Sequence, residues 1–240
     1  ALDFTVGVDY FTDQNRGNLD GGTLASYPDG EGSFTGLYAQ AEFRLFDRVS
    51  IIPGIRWDSF EMTSDDPGNE RRSGEEWSPK LAVSADVTDF LTLWGSYAEG
   101  FNAPRHQYLY MSGLHFPGFG LQPCPPPMFF QGLCMNNNRF VANPDLQPER
   151  STTWEVGARL ALDDLVVRGD RLTAEVTYFD TRATDFINVT VDVINGITYY
   201  DNLDRVRLRG IEAGVRYDHP RWFAGLSYGQ VRARQDNGGW

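Results

Sequence analysis

Cysteine is scarce, with two residues in 240, and so few cannot form a disulfide scaffold in place of a packed core. Basic residues are outnumbered, 21 Lys+Arg against 33 Asp+Glu for a formal net charge of -12. Such a chain repels phosphate backbones, which sets nucleic acid aside as a partner. No run approaches the roughly 20 apolar residues of a spanning helix. A positively charged and then apolar leader is missing at Ala1, so the expectation is a chain that is cytoplasmic, already processed, or cut from something longer. There is no HExxH, no GxGxxG opening a helix and no phosphate-binding glycine loop. The paired carboxylates Asp65 with Asp66 and Asp163 with Asp164 fall in loops and turns, where solvated charge is the default, and the chain is not read as an enzyme. The apolar share, 41%, is that of a folded protein, which excludes a disordered or collagenous chain.

What is present is a period of two. Leu37, Ala39, Ala41, Phe43 and Leu45 alternate with Tyr38, Gln40, Glu42 and Arg44, as one apolar and one polar strand face require. The same alternation runs through Leu81 to Val87, Trp154 to Leu160 and Leu172 to Tyr178. Ile211, Ala213, Val215 and Tyr217 continue the apolar face of Val206 and Leu208 only through a one-residue slip at Gly210, which predicts a bulge there. Nine strands are expected, at about 2–12, 36–46, 49–62, 76–87, 90–101, 150–162, 171–190, 197–217 and 221–235. Long loops (13–35, 63–75, 102–149) alternate with tight turns at Asp47–Arg48, Thr88–Asp89 and Asp218–Pro220, and shorter links join 163–170 and 191–196.

The class read from this is all-β, a part of a transmembrane antiparallel up-and-down barrel. A soluble sandwich or lipocalin-like barrel is the alternative, but its strands run about 5–6 residues and its core is apolar. Here the strands are longer, near the 9–11 residues that cross a bilayer at a tilt. The polar face is assigned Glu42, Arg44, Arg56, Asp58, Glu155, Arg159, Glu175, Arg207, Arg209, Glu212 and Arg216, a set that suits a watery or plugged lumen. Tyr10, Phe46, Trp57, Phe90, Trp94, Tyr97, Trp154, Tyr217 and Trp222 suit the aromatic girdles at the two interfaces, or else ordinary strand packing. Single-chain bacterial barrels have even strand numbers, so nine strands suggest a contiguous piece of something larger.

Residues 102–149 gather 8 of the 13 prolines, both cysteines and two of the three histidines, yet only four charges. A long aromatic loop poor in charge reads as a surface for something apolar or flat, and proline stiffness lowers the entropy lost on binding. The candidate ligand contacts are His106, Tyr108, Tyr110, His115, Phe116, Phe119, Phe129 and Phe130. His106 or His115 is a candidate haem-iron ligand, as a tyrosinate such as Tyr108 or Tyr110 can be, against the plainer reading of surface or hydrogen-bonding residues. Cys124 and Cys134 are read as a disulfide that restrains the loop by roughly 3 kcal/mol, with free thiols as the alternative. Zinc is weaker, because the cysteines and histidines lack a standard ligand spacing. His219, beside Pro220 in a turn, reads as structural.

The motifs flanking this loop carry a resemblance. Tyr97-Ala98-Glu99-Gly100-Phe101-Asn102-Ala103-Pro104 resembles the Y-x-x-G-F-R-A-P box of the TonB-dependent outer-membrane receptors. Asn143-Pro144-Asp145-Leu146-Gln147-Pro148-Glu149-Arg150-Ser151 is similar to their N-P-N-L-x-P-E-x-S box, and Trp154-Glu155-Val156-Gly157 follows it. Tyr178-Phe179-Asp180, Asp185-Phe186-Ile187, Asn202 and Arg209-Gly210-Ile211-Glu212 resemble the next two strands. Asn102 stands where Arg is commoner and Asp145 where a second Asn is. The resemblance implies about nine strands of a 22-stranded barrel, with residues 1–240 a segment of the barrel domain and the plug and final strands elsewhere. It implies import energised by TonB through that plug, with no catalytic cofactor. The location implied is the bacterial outer membrane, with lipid around the wall and the long loops extracellular. The transported ligand implied is haem, free or taken from an extracellular haemoprotein. A ferric siderophore is the alternative, and a passive porin-like channel or a structural surface protein is the remaining one.

Overall fold

The computed structural model describes residues 2–19, 22–23, 27–114, 129–130, 133–134, 138–192 and 195–235; for 18–19, 22–23, 129–130 and 133–134 only the backbone is described. Nine long strands follow one another: β1 (Leu2–Asn15), β2 (Gly30–Leu45), β3 (Val49–Ser64), β4 (Arg72–Asp86), β5 (Leu91–Asn102), β6 (Glu149–Asp163), β7 (Arg171–Asp192), β8 (Ile197–His219) and β9 (Trp222–Gln235). Each pairs antiparallel with the next, so sequence order is spatial order. Among the described residues, one short helix, α1 (His106–Tyr110), and the short strands Gly113–Leu114, Phe129–Phe130, Leu133–Cys134 and Arg139–Val141 lie within the connection from β5 to β6. Arg139–Val141 runs parallel to the start of β8 and accepts Gly113–Leu114 on its other edge.

The turns at one rim are short. Leu45 pairs with Val49 across a loop in which Phe46 and Asp47 take positive φ of 51° and 55°, the left-handed twist that matches a hairpin. Between β6 and β7, Asp170 is the keystone of the turn. Its carboxylate accepts the backbone N–H groups of Leu165, Val166 and Val167 at 2.6, 2.8 and 2.8 Å and the Tyr217 hydroxyl at 2.6 Å. Burial alone raises this carboxyl, but those four donors outweigh it and lower its pKa to about 2.

One face of the sheet is apolar and open. Phe4, Val6, Leu226 and Trp154 are 72%, 77%, 73% and 59% exposed. Cross-strand register makes this a continuous band: Val6 opposite Ala39, Ala39 opposite Ile55, Leu81 opposite Tyr97, Tyr97 opposite Trp154, Val176 opposite Ala213 and Ala213 opposite Tyr228. An apolar surface of that extent is stable only against an apolar solvent, which decides against the soluble sandwich. Aromatic side chains border it, with Trp57 and Trp77 (ring centroids 6.5 Å apart) and Tyr97 and Trp154 (4.6 Å) toward the long-loop rim, and Tyr217 and Trp222 (5.4 Å) toward the short-turn rim. The opposite face carries paired charge: Arg56 bonds Asp58 and Asp9, and Arg159 bonds Glu175.

Three expectations are corrected. First, no bulge occurs at Gly210, which pairs with Phe179 on one side and Val231 on the other in unbroken register. Gly is needed there for close approach instead, since a Cβ would stand 2.5 Å from both the Gln230 carbonyl oxygen and the Phe179 ring. Second, with no slip, Arg207 and Arg209 share the face of Ile211 and Ala213, the outer one, and Val206 and Leu208 turn inward. Third, Trp94 leaves the girdle. Its ring covers Gly157 on the inner face, where a Cβ would lie 2.4 Å away. The strand bounds also differ: β1, β2, β3 and β4 run several residues into the expected loops.

Candidate functional site

The buried core of the described residues sits at the long-loop rim. Phe60, Met62, Ala103, Leu109, Tyr110 and Leu146 form it, with Phe34, Phe101, Tyr108, Ile187 and Tyr200 packed around. It forms because the inner face of β3 changes character along the strand. Arg56 and Asp58 point to the lumen, and two and four residues on, Phe60 and Met62 occupy the same face and give α1 an apolar seat.

Both sequence boxes converge here. Ala103, Pro104 and Leu146 are buried, Leu146 completely. The Asn102 amide donates to Glu149 Oε2 at 2.6 Å, and Glu149 Oε1 accepts the Ile187 N–H at 2.8 Å. One carboxylate therefore ties the first box to β7. The second box is held by β8: the Asn143 amide donates to the Tyr200 carbonyl at 2.9 Å, and Asn202 accepts the Gln147 N–H at 2.8 Å while donating to the carbonyls of Gln147 and Asp185. Asp185, with a positive φ of 56°, is the point where β7 leaves its ladder with β8 for one residue. The departures Asn102 and Asp145 are both exposed. Asp145 enters these bonds through its backbone, its N–H donating to Asn143 Oδ1 in an Asx turn and its carbonyl accepting from Gln147.

The ligand candidates separate on this frame. Tyr110 is fully buried and its hydroxyl donates to the carbonyls of Glu70 (2.7 Å) and Met62 (3.2 Å). Burial raises its pKa, so it is a neutral donor. Tyr108 stacks on Tyr200, with ring centroids 4.3 Å apart, and lies under the Arg105 guanidinium. His106 is 8% exposed, and its Nδ1 is 3.3 Å from the Asn15 amide nitrogen. Burial, ahead of the nearby carboxylates, lowers its pKa and keeps the imidazole neutral near pH 7. Its Nε2 is buried beside the Thr63 carbonyl and faces Gly30 so closely that a Cβ there would lie 2.2 Å away. This nitrogen has the chemistry of an iron ligand and is packed against Gly30.

His115, Phe116, Phe119 and Cys124 lie outside the described residues, as do the side chains of Phe129, Phe130 and Cys134, so the disulfide pairing falls there too. The backbone of Phe129–Phe130 pairs with Leu133–Cys134 as a short hairpin. Among the described residues no cluster of three or more His, Cys, Asp or Glu could hold a metal ion. Phe60, Met62 and Tyr200 were not identifiable as site residues from alternation alone. For Phe60 and Met62 the signal is the change of the inward face of β3 from charged to aromatic and thioether side chains.

Comparison with known proteins fits this arrangement. A family model described as "TonB dependent receptor-like, beta-barrel" matches residues 1–240. The chain is 34% identical over 218 residues to the hemin receptor of Yersinia pestis, covering 90% of this chain and 30% of that protein. It is 29% identical over 262 residues to the heme/hemopexin utilization protein C of Haemophilus influenzae, covering 99% and 34%. The chain thus spans about a third of the length of these relatives. Among solved structures it resembles the Serratia marcescens hemophore receptor HasR, in complex with HasA and heme, at TM-score 0.77 and 23% identity, covering 96% of this chain and 39% of that one. It also resembles the siderophore receptor PirA from Pseudomonas aeruginosa at TM-score 0.72 and 20% identity, covering 98% and 40%. With a matching family model over its whole length, an outward apolar band and two boxes locked at one rim, the chain belongs to the TonB-dependent receptor β-barrel family, and its open sheet is a segment of that barrel.

Proposed function

We propose that this chain is part of an outer-membrane receptor that imports haem in a TonB-dependent way. The long-loop rim faces outward, and the loop between the two boxes is the haem-contacting surface. The observation that carries the reading is the pinned base of that loop, in a chain 34% identical to a hemin receptor. Asn102, Glu149, Asn143 and Asn202 fix its ends to β7 and β8, which lowers the entropy the loop would lose on binding. His115 follows the strand Gly113–Leu114 directly and is the proposed iron ligand, since His106 Nε2 is packed against Gly30. The proton gradient acting through TonB supplies the energy of transport, and the barrel segment contributes recognition. An extracellular haemoprotein is a proposed source of the ligand, and no catalytic role is assigned.

The test is a haem titration of the full-length receptor in detergent, followed in the Soret region. His115→Ala should abolish the saturable band, and His106→Ala should retain it at reduced stability of the loop. Retention in His115→Ala with loss in His106→Ala reverses the assignment. No band in the parent at micromolar haem favours the ferric-siderophore reading, which the likeness to PirA supports. Orientation is tested separately by an epitope inserted between Pro67 and Gly68, which antibody should reach on intact cells.

A further inference from the structure

The unbroken register at Gly210 exposes a feature of the outer face. Immediately past the aromatic border, β8 and β9 present arginine at alternate positions and β7 adds Arg182. Arg182 of β7 lies directly opposite Arg207 of β8, and Arg207 opposite Arg234 of β9. In the next row Asp180 faces Arg209 and Arg209 faces Arg232, and in the row beyond Thr184 faces Arg205. Like charges directly opposite on neighbouring strands destabilise a sheet. Internal compensation is small: Asp180 is held by Arg207 and lies 4.0 Å from Arg182, whose side chain is 70% exposed. Among the described residues, Arg205, Arg209, Arg232 and Arg234 have no carboxylate within ion-pair distance. Two glutamates border the patch, Glu76 paired with Arg150 and Glu99 accepting the Tyr97 hydroxyl. All this occurs in a chain whose net charge is -12, so the patch runs against the global balance.

Its position selects the anion. The patch shares a face with the apolar band and abuts Trp154 and Tyr178, so it lies in the plane where lipid headgroups sit. A cavity of about 700 Å³, lined by Arg150, Arg182, Arg205 and Arg207 and on its other side by Glu76 and Glu99, opens at its edge. We propose that this arginine lattice binds the phosphate groups of an anionic membrane lipid packed against the barrel wall. Guanidinium forks engage phosphate oxygens in bidentate fashion, and the bound headgroup neutralises the opposed arginines of the ladder. This inference rests on the proposed membrane placement and is independent of the transported ligand.

The test uses the full-length receptor in neutral detergent, with bis-phosphorylated lipid A as the probe and native mass spectrometry as the readout. The variant R182Q/R205Q/R209Q should lower the lipid-bound fraction at least about ten-fold, because each cation near an anionic surface contributes appreciably. R159Q, on the opposite face, should bind as the parent does. Unchanged binding in the triple variant overturns the proposal, as does equal binding of dephosphorylated lipid A. Complete displacement by millimolar inorganic phosphate makes the patch a free-phosphate site and overturns the lipid assignment. Heat-modified mobility on gels checks that each variant is folded. Haem titration of the same samples separates this result from the transport reading, since loss of lipid with haem binding intact, or the reverse, tells which has failed.

Discussion

The two rims of the sheet solve the same problem with opposite means. At the short-turn rim the chain reverses within a few residues, and order comes from backbone geometry and one carboxylate, Asp170, that satisfies three N–H groups and a hydroxyl. At the long-loop rim order comes from a small apolar core built on Leu109, Tyr110 and Leu146, with the family boxes as its outer wall. Polar satisfaction holds one end and burial the other. The boxes are therefore the foundation of the long loop that runs between them.

Substitutions can break or sharpen this contrast. Leu146→Ala should have the largest effect, about 2–5 kcal/mol, because it opens a cavity at the centre of the rim core. Proteolysis of the full-length receptor should then cut within 138–148, and an uncut loop would show that the hydrogen bonds suffice alone. Tyr110→Phe keeps the packing and strands the Glu70 and Met62 carbonyls, costing about 1–3 kcal/mol, read as a lowered denaturant midpoint for loop release. At the other rim, Asp170→Asn should lower stability near neutral pH and flatten its acid dependence. The sign follows from a carboxyl lowered from 3.8 to about 2 on folding. The stabilisation is full above the unfolded value and is lost as pH falls through the folded one. Melting of parent and variant should therefore converge as the pH approaches 2, and a constant gap down to that pH would exclude the ionic role. Smallest of all, Arg44→Gln removes an exposed pair with Glu42, worth 0 to about 1 kcal/mol, and should leave the unfolding midpoint almost unmoved.

The same contrast explains what the sequence made legible. The strands were readable where the chain crosses the apolar band, because there lipid on one side and lumen on the other force a strict alternation, as from Leu37 to Leu45. Past the band that alternation inverts: Phe60 and Met62 turn inward to a dry core, Val206 and Leu208 also turn inward, and Arg205, Arg207 and Arg209 turn outward. Read by parity alone, the inversion at Gly210 looks like a bulge, although the backbone never slips. Helix α1 has five residues, too few to be marked by periodicity or stable without its seat. The boxes were legible by resemblance, but their role was not, since burial of Ala103 and Leu146 depends on side chains from β3 that are distant in the chain.

The register across β1 to β9 is set from the short turns and carries through the band, so the two rims are free to diverge. Residues added between β5 and β6 displace no pair within the sheet, since both strands are already anchored to their other neighbours. In a wall of this construction one margin sets the pairing, and the other can lengthen, shorten or change its recognition chemistry without the fold having to be found again.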